Sequence, residues 1–165
     1  MEAFFLDFFG SFARIIIFLH VLAAAVLIGG MVVLRFVLKP TLVSKDKEEI
    51  KFARCLQILD NFLKIMLPFM LILISASWLM RVGLGFAYAS PIIETLLHVK
   101  EALWMILAFN FSVAYWKFLN AKAFYKKRAY FEVGENISLI INYLIPVNLV
   151  FALIGVYLGV IMRGY

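Results

Sequence analysis

Four long apolar stretches, separated by polar segments, dominate the pattern of this 165-residue chain. They cover about residues 12–36, 62–81, 91–117 and 137–162. Each is close to or above the roughly 20 residues that a helix needs to cross a bilayer. The pattern therefore predicts an all-α fold, an integral membrane four-helix bundle that forms a single transmembrane domain over residues 1–165.

The polar segments between the stretches predict where the helices end. Pro40 is expected to end the first helix, because proline cannot donate the backbone hydrogen bond that a helix interior requires. Residues 41–60 have the apolar spacing of an amphipathic helix, with Ser44 as its N-cap, which is expected to stand alone or to continue into the second span. Residues 82–90 and 120–134 are expected to form loops.

Basic residues are distributed unequally over the two ends of the predicted bundle. The segment from Arg35 to Arg54 holds six lysines or arginines and the segment from Lys117 to Arg128 holds five. The opposite end holds Arg14, Arg81 and Arg163. Because basic loops stay in the cytoplasm, the pattern predicts cytoplasmic long loops and N- and C-termini outside, in the periplasm of a bacterial inner membrane.

The composition supports a membrane protein and excludes several other classes. The chain is 65% hydrophobic, with a mean hydropathy of +1.01 and a net charge of +6. Since the basic residues flank apolar spans, we assign them to lipid headgroups and not to nucleic acid. The one cysteine, Cys55, excludes an internal disulfide and a cysteine-ligated metal cluster, and no CxxCH motif is present for covalent haem.

The two histidines of the chain are the main candidate functional residues. His20 lies about 12 Å from the outer end of the first span and His98 about 10 Å from the outer end of the third, at 1.5 Å per residue. Ionisable side chains inside a membrane normally face a protein interior, a partner or a ligand. The sequence therefore predicts that both imidazoles reach one central site. The alternative is that each donates an interhelical hydrogen bond and binds nothing.

A pair of axial histidines between helices is typical of b-type haem. In that interpretation His20 and His98 bind the metal, while Arg14, Arg81 and Lys100 are available to the propionates. Glu101 lies within one turn of His98 and is a candidate to accept protons or to orient the imidazole.

Two segments resemble known membrane protein families. LHVLAAAVLIGGMVVLRFVLKP (Leu19 to Pro40) resembles the first helix of the CopD family, and LLHVKEALWMILAF (Leu96 to Phe109) resembles the third helix of the HemJ family. The resemblance implies a four-helix membrane fold. From HemJ it implies haem binding and protoporphyrinogen oxidation, with His20 as haem ligand and Arg35, His98 and Lys100 in polar positions of the family. From CopD it implies copper handling.

Three functions follow as hypotheses. The first is a haem protein that works in electron transfer or protoporphyrinogen oxidation, with Glu101, Lys100 and Arg35 as candidate catalytic residues and an unidentified redox partner. The second, which the CopD resemblance implies, is a copper-handling protein that uses His20, His98 and Met80. The third is a structural bundle without a cofactor. Gly29 and Gly30 suit internal packing and a homodimer contact equally well.

Overall fold

The computed structural model describes residues 2–43, 45–83 and 91–162. These residues form α1 (Glu2–Val43), α2 (Glu48–Gly83), α3 (Pro91–Lys126), α4 (Tyr130–Leu139), a π-helix (Ile140–Leu144) and α5 (Ile145–Met162). The π-helix joins α4 to α5 without a break. Three helical segments are long and apolar enough to cross a membrane, namely Leu6–Val43, Glu48–Gly83 and Tyr130–Met162.

The prediction of an all-helical fold is therefore confirmed for the described residues, and three of the helical segments have the length and apolar composition of a membrane span. The third predicted span, α3, is not among them, and its first three turns carry Glu94, His98, Lys100 and Glu101. Nevertheless α3 packs against α2, α4 and α5, so it belongs to the same bundle. The π-helix also lies within the predicted fourth span.

The predicted end of the first helix is wrong. Helix α1 continues through Pro40 to Val43. Pro40 deprives the Phe36 carbonyl of its helical donor, but Phe36 is 75% exposed, so this loss falls on the outer side of α1 and not in the packed core. The N-cap predicted at Ser44 lies outside the described residues, as does most of the predicted 82–90 loop. Helix α2 runs unbroken from Glu48 into the second span, which is one of the two predicted arrangements.

The predicted loop over residues 120–134 is mostly helical. The buried face of α3 continues through Phe118 and Ala121, while its lysines stay exposed, so the helix extends beyond the apolar layer. It ends where the Ala129 N–H donates to the Phe124 carbonyl and the Arg128 N–H to the Tyr125 carbonyl. Arg128 has φ +58°, the left-handed conformation that glycine usually supplies at this position.

The core is formed by the inward faces of all the helices. Helices α1 and α2 share the most extensive interface, α3 packs mainly on α4 and α5, and α1 also touches α5. Helices α1 and α3 therefore lie diagonally across the bundle. The amphipathic spacing predicted for residues 41–60 is confirmed, because Phe52, Cys55, Leu56 and Leu59 of α2 are buried. Leu63 of α2 and Leu27 and Met31 of α1 are buried as well.

The two neighbouring glycines of α1 have different surroundings. A Cβ added at Gly30 lies 2.5 Å from Cε of Met66 on α2, whereas a Cβ at Gly29 meets nothing within 4 Å. Gly30 therefore serves packing within the bundle, while Gly29 faces outward.

Alanine substitution should separate these two roles. We expect Gly29→Ala to be neutral or stabilising, because alanine favours the helix by roughly 1 kcal/mol. Gly30→Ala should be less stable than Gly29→Ala by about 1 kcal/mol, because Met66 has to move. Unfolding in mixed micelles would measure the difference. Equal stability of the two variants would contradict close packing at Gly30.

Candidate functional site

His20 lies on the inward side of α1, at the outer end of the core. Its side chain is half-buried, and its Nδ1 atom is buried without a hydrogen-bond partner among the described residues. The backbone of Leu73 on α2 lies beside the imidazole, and the positive charge of Lys100 on α3 interacts electrostatically with the ring. An unpaired ring nitrogen in a buried position is free to bind a ligand atom.

Lys100 lies on the core-facing side of α3, within electrostatic range of His20. Its side chain is half-buried, and its Nζ atom lies 3.5 Å from the position that a Cβ at Gly159 of α5 would occupy. Glycine at 159 thus leaves room for the ammonium group between α3 and α5. No acidic side chain pairs with Lys100 within the described part of the chain, although cations inside a bundle normally have such a partner.

Trp104 follows one turn further along α3. Its Nε1 atom is buried without a hydrogen-bond partner in the described structure, and its Cζ2 atom lies 3.7 Å from a Cβ position at Gly155. Indole N–H groups usually find a partner when buried. His20, Lys100 and Trp104 together form what we call the outer polar group, which can offer several hydrogen-bond donors and one positive charge.

A narrow apolar cavity extends from Trp104 of the outer polar group toward the basic end of the bundle. Its volume is about 10 Å³, roughly the space for one water molecule. It lies between α1, α2, α3 and α5, and its walls are formed by Ala24, Leu27, Ile28, Met31, Met70, Leu73, Trp104, Leu107, Phe111, Ala152 and Val156. Of the outer polar group, Trp104 lines this cavity.

His98 does not join this group. Its side chain is 59% exposed, and the helical face that it shares with Met105 and Phe109 is also exposed. Its ring nitrogens lie 3.9 Å from a Glu94 carboxylate oxygen and 3.6 Å from a Glu101 oxygen. Glu101 in turn forms an ion pair with Arg81 of α2.

The prediction that the two imidazoles reach one central site is therefore wrong. His98 and Lys100 are two residues apart, so they point in nearly opposite directions from α3. The structure turns Lys100 inward and His98 outward, so it is Lys100 that lies within electrostatic range of His20. Arg81 is paired with Glu101, and Arg14 is exposed, so neither joins the outer polar group.

Arg35 has a different environment from the other candidates. It is half-buried, and its Nη1 atom donates a hydrogen bond of 2.7 Å to the Ile141 carbonyl in the π-helix. In a π-helix a carbonyl accepts from the residue five positions later, which here is Pro146, and proline has no N–H. Arg35 thus supplies the donor that Pro146 cannot, and this contact links α1 to the π-helix.

Asn148 is a further buried polar residue, one turn from the cavity wall at Ala152. It is 0% exposed, and neither its Nδ2 nor its Oδ1 atom has a hydrogen-bond partner among the described residues. Asn142, by contrast, is exposed and donates to the Ser138 hydroxyl. Asn148 therefore bears an unpaired amide inside the core, which is costly for the fold.

Sequence reasoning did not identify Trp104, Gly159 or the π-helix as parts of the site. Lys100 itself carried a usable signal, because a lysine inside an apolar stretch indicates either a partner or a ligand. Gly159 carried a weaker one, since a small residue on a neighbouring helix leaves room for a long side chain.

Comparisons with protein-family models, with curated proteins and with solved structures found no match. Within the described residues, no group of three or more histidine, cysteine, aspartate or glutamate side chains lies together as a metal site would require.

Proposed function

We propose that this chain is a membrane-embedded protein that binds a lipid-soluble carboxylate, a haem or related tetrapyrrole, at the outer polar group. The observation that carries the proposal is the half-buried ammonium of Lys100, which has no acidic partner among the described residues. We include in this proposal a redox role, either electron transfer or protoporphyrinogen oxidation. We also include a relationship to the HemJ and CopD families, which the sequence resembles.

An anionic ligand would lower the cost of this cation. A charge removed from water is strongly unfavourable unless an opposite charge or several hydrogen bonds compensate. A carboxylate beside Lys100 would provide that compensation and would also accept a hydrogen bond from Trp104. The cavity walls below are apolar, so the remainder of the ligand should be apolar as well.

A tetrapyrrole satisfies both requirements, because it combines an apolar ring with carboxylates. His20 would hold the iron through its imidazole, and Lys100 would pair with one propionate. The residues present do not fit a bis-histidine haem within one chain, because His98 faces outward. Such a group supplies one-electron chemistry when bound. The ring is much larger than the cavity, so binding requires α1 and α3 to move apart.

The copper alternative has less support from these contacts. Copper sites combine several imidazole, thiolate or thioether ligands, and His20 stands near a lysine, not near a second histidine. The third hypothesis, a bundle without a cofactor, predicts that the purified protein binds neither haem nor copper.

We further propose that the protein lies in a bacterial inner membrane with both long loops in the cytoplasm. The basic residues at the α1–α2 and α3–α4 ends support this orientation. The three helical segments that are long and apolar enough to cross a membrane support the membrane location itself.

Haem titration of the detergent-purified protein tests the proposal. We expect haem to bind with a Soret band, and His20→Ala to weaken binding by roughly tenfold or more, because the one inward-facing imidazole is lost. Lys100→Gln should also weaken binding while leaving the Soret position unchanged, since the lysine contacts the carboxylate and not the iron.

His98→Ala is the matched control, because it removes the other histidine from an exposed position. We expect it to bind haem like the unmodified protein. Equal losses in His20→Ala and His98→Ala would refute the single-imidazole site. Absence of a haem complex in the unmodified protein would refute the haem proposal itself.

A further inference from the structure

A separate groove lies at the cytoplasmic end of the bundle, between the last turn of α1 and the first turns of α2. Its volume is about 420 Å³, within the usual range of small-molecule sites. It is lined by Pro40, Thr41, Asp46, Arg54, Gln57 and Ile58. The groove lies far along α1 from His20, and none of the residues discussed above as candidate ligands lines it.

The groove presents both signs of charge side by side. Arg54 Nη1 lies 2.9 Å from Asp46 Oδ2, and these side chains are 61% and 44% exposed. An exposed ion pair of this kind contributes little to stability, so Arg54 can turn toward a ligand at small cost. Gln57 follows Arg54 by one turn of α2 and adds an amide with one donor group and one acceptor.

Exposed apolar side chains continue from the groove toward the middle of the bundle. On α1, Phe36 and Val37 lie one turn before Pro40 and Thr41, and Val33 follows on the same side. Phe36 is 75% exposed and Val33 60% exposed. On α2, Ile65 lies two turns beyond Ile58 and is 53% exposed. A polar groove beside a row of exposed apolar side chains matches a phospholipid, which has a polar headgroup and apolar acyl chains.

We infer that this groove binds a phospholipid with a primary ammonium headgroup, phosphatidylethanolamine. Arg54 and Gln57 donate to the lipid phosphate, because a guanidinium matches phosphate oxygens in charge and geometry. Asp46 accepts hydrogen bonds from the lipid ammonium. The acyl chains lie along Val33, Phe36 and Ile65.

The aspartate makes the site selective among common phospholipids. Phosphatidylcholine has the same charges, but its quaternary nitrogen has no N–H to donate to Asp46. Phosphatidylglycerol lacks the positive charge and brings its phosphate close to the aspartate carboxylate. The surrounding lysines attract anionic lipids without distinguishing this groove from other basic surfaces.

Native mass spectrometry of the detergent-purified full chain, with one dioleoyl phospholipid added at a time, tests the inference. We expect one phosphatidylethanolamine to bind about tenfold more tightly than phosphatidylcholine or phosphatidylglycerol. Arg54→Gln should remove this tight binding, and Asp46→Asn should abolish the preference over phosphatidylcholine while retaining phosphate binding.

Arg128→Gln is the matched control, because it lowers the net charge equally in the other basic turn. We expect it to bind phosphatidylethanolamine like the unmodified protein. Equal loss in Arg54→Gln and Arg128→Gln would overturn the inference in favour of general charge attraction. Stronger binding of phosphatidylglycerol by the unmodified protein would also overturn it. Thermal unfolding of each variant verifies that the fold is retained.

Discussion

Replacing Arg35 by methionine is expected to destabilise the protein by about 2 kcal/mol, the usual value of a hydrogen bond to a charged donor. Methionine keeps much of the side-chain length but removes the Nη1 donor that lies 2.7 Å from the Ile141 carbonyl oxygen. Reversible unfolding in mixed micelles would measure the change in the free energy of unfolding.

A second substitution makes this prediction specific. Pro146→Ala restores the missing backbone N–H, so the Ile141 carbonyl no longer depends on Arg35. In that background we expect Arg35→Met to cost less than half as much, which a double-mutant cycle would reveal as a coupling energy. An identical cost in both backgrounds would mean that Arg35 acts through some other contact.

Asn148→Leu is expected to stabilise the protein by about 1–3 kcal/mol. The Asn148 side chain is fully buried, and its two amide atoms have no partner among the described residues. Leucine has a similar shape and removes an unpaired polar group from the core, so the substitution removes a desolvation penalty. The same unfolding measurement applies.

Asn136→Leu is the control for this second prediction. Asn136 is also buried, but its Nδ2 atom donates to the Glu132 carbonyl at 2.7 Å. We expect its replacement to be neutral or destabilising, because a hydrogen bond is lost. Loss of stability in Asn148→Leu would show that this amide has a partner in the membrane, and haem titration of the variant would show whether that partner is the ligand.

Arg35 and Asn148 illustrate two ways in which a membrane bundle treats polar groups. Proline in a membrane helix is tolerated when a neighbouring helix satisfies the freed carbonyl, and Arg35 does this for the π-helix. Asn148 has no such partner among the described residues. Unsatisfied groups of this kind concentrate at functional sites, where a stability cost is retained for binding.

Much of the fold could be predicted from local sequence. Apolar length and helical spacing were enough to predict an all-helical membrane protein and the buried side of α2, because the hydrophobic effect acts on each segment by itself. Pro40 misled the prediction of a helix end. Whether proline stops a helix depends on whether another donor or water reaches the freed carbonyl, and the sequence does not specify this.

The candidate site was only partly predictable. Equal depth along two helices suggested that His20 and His98 meet, but depth says nothing about rotation around the helix axis. His98 and Lys100 share a turn of α3 and point in nearly opposite directions. The sequence is compatible with either residue facing the core. Packing selected the rotation that places Lys100 between Gly159 and His20 and leaves His98 exposed.

The sequence by itself determined that this chain is a helical membrane protein and that few ionisable residues lie within its apolar segments. The tertiary structure alone decided which of those residues face one another. Hydrophobicity and charge are properties of each segment, whereas the facing of His20 and Lys100, the support of the π-helix by Arg35 and the groove at Arg54 depend on how helices rotate and pack together.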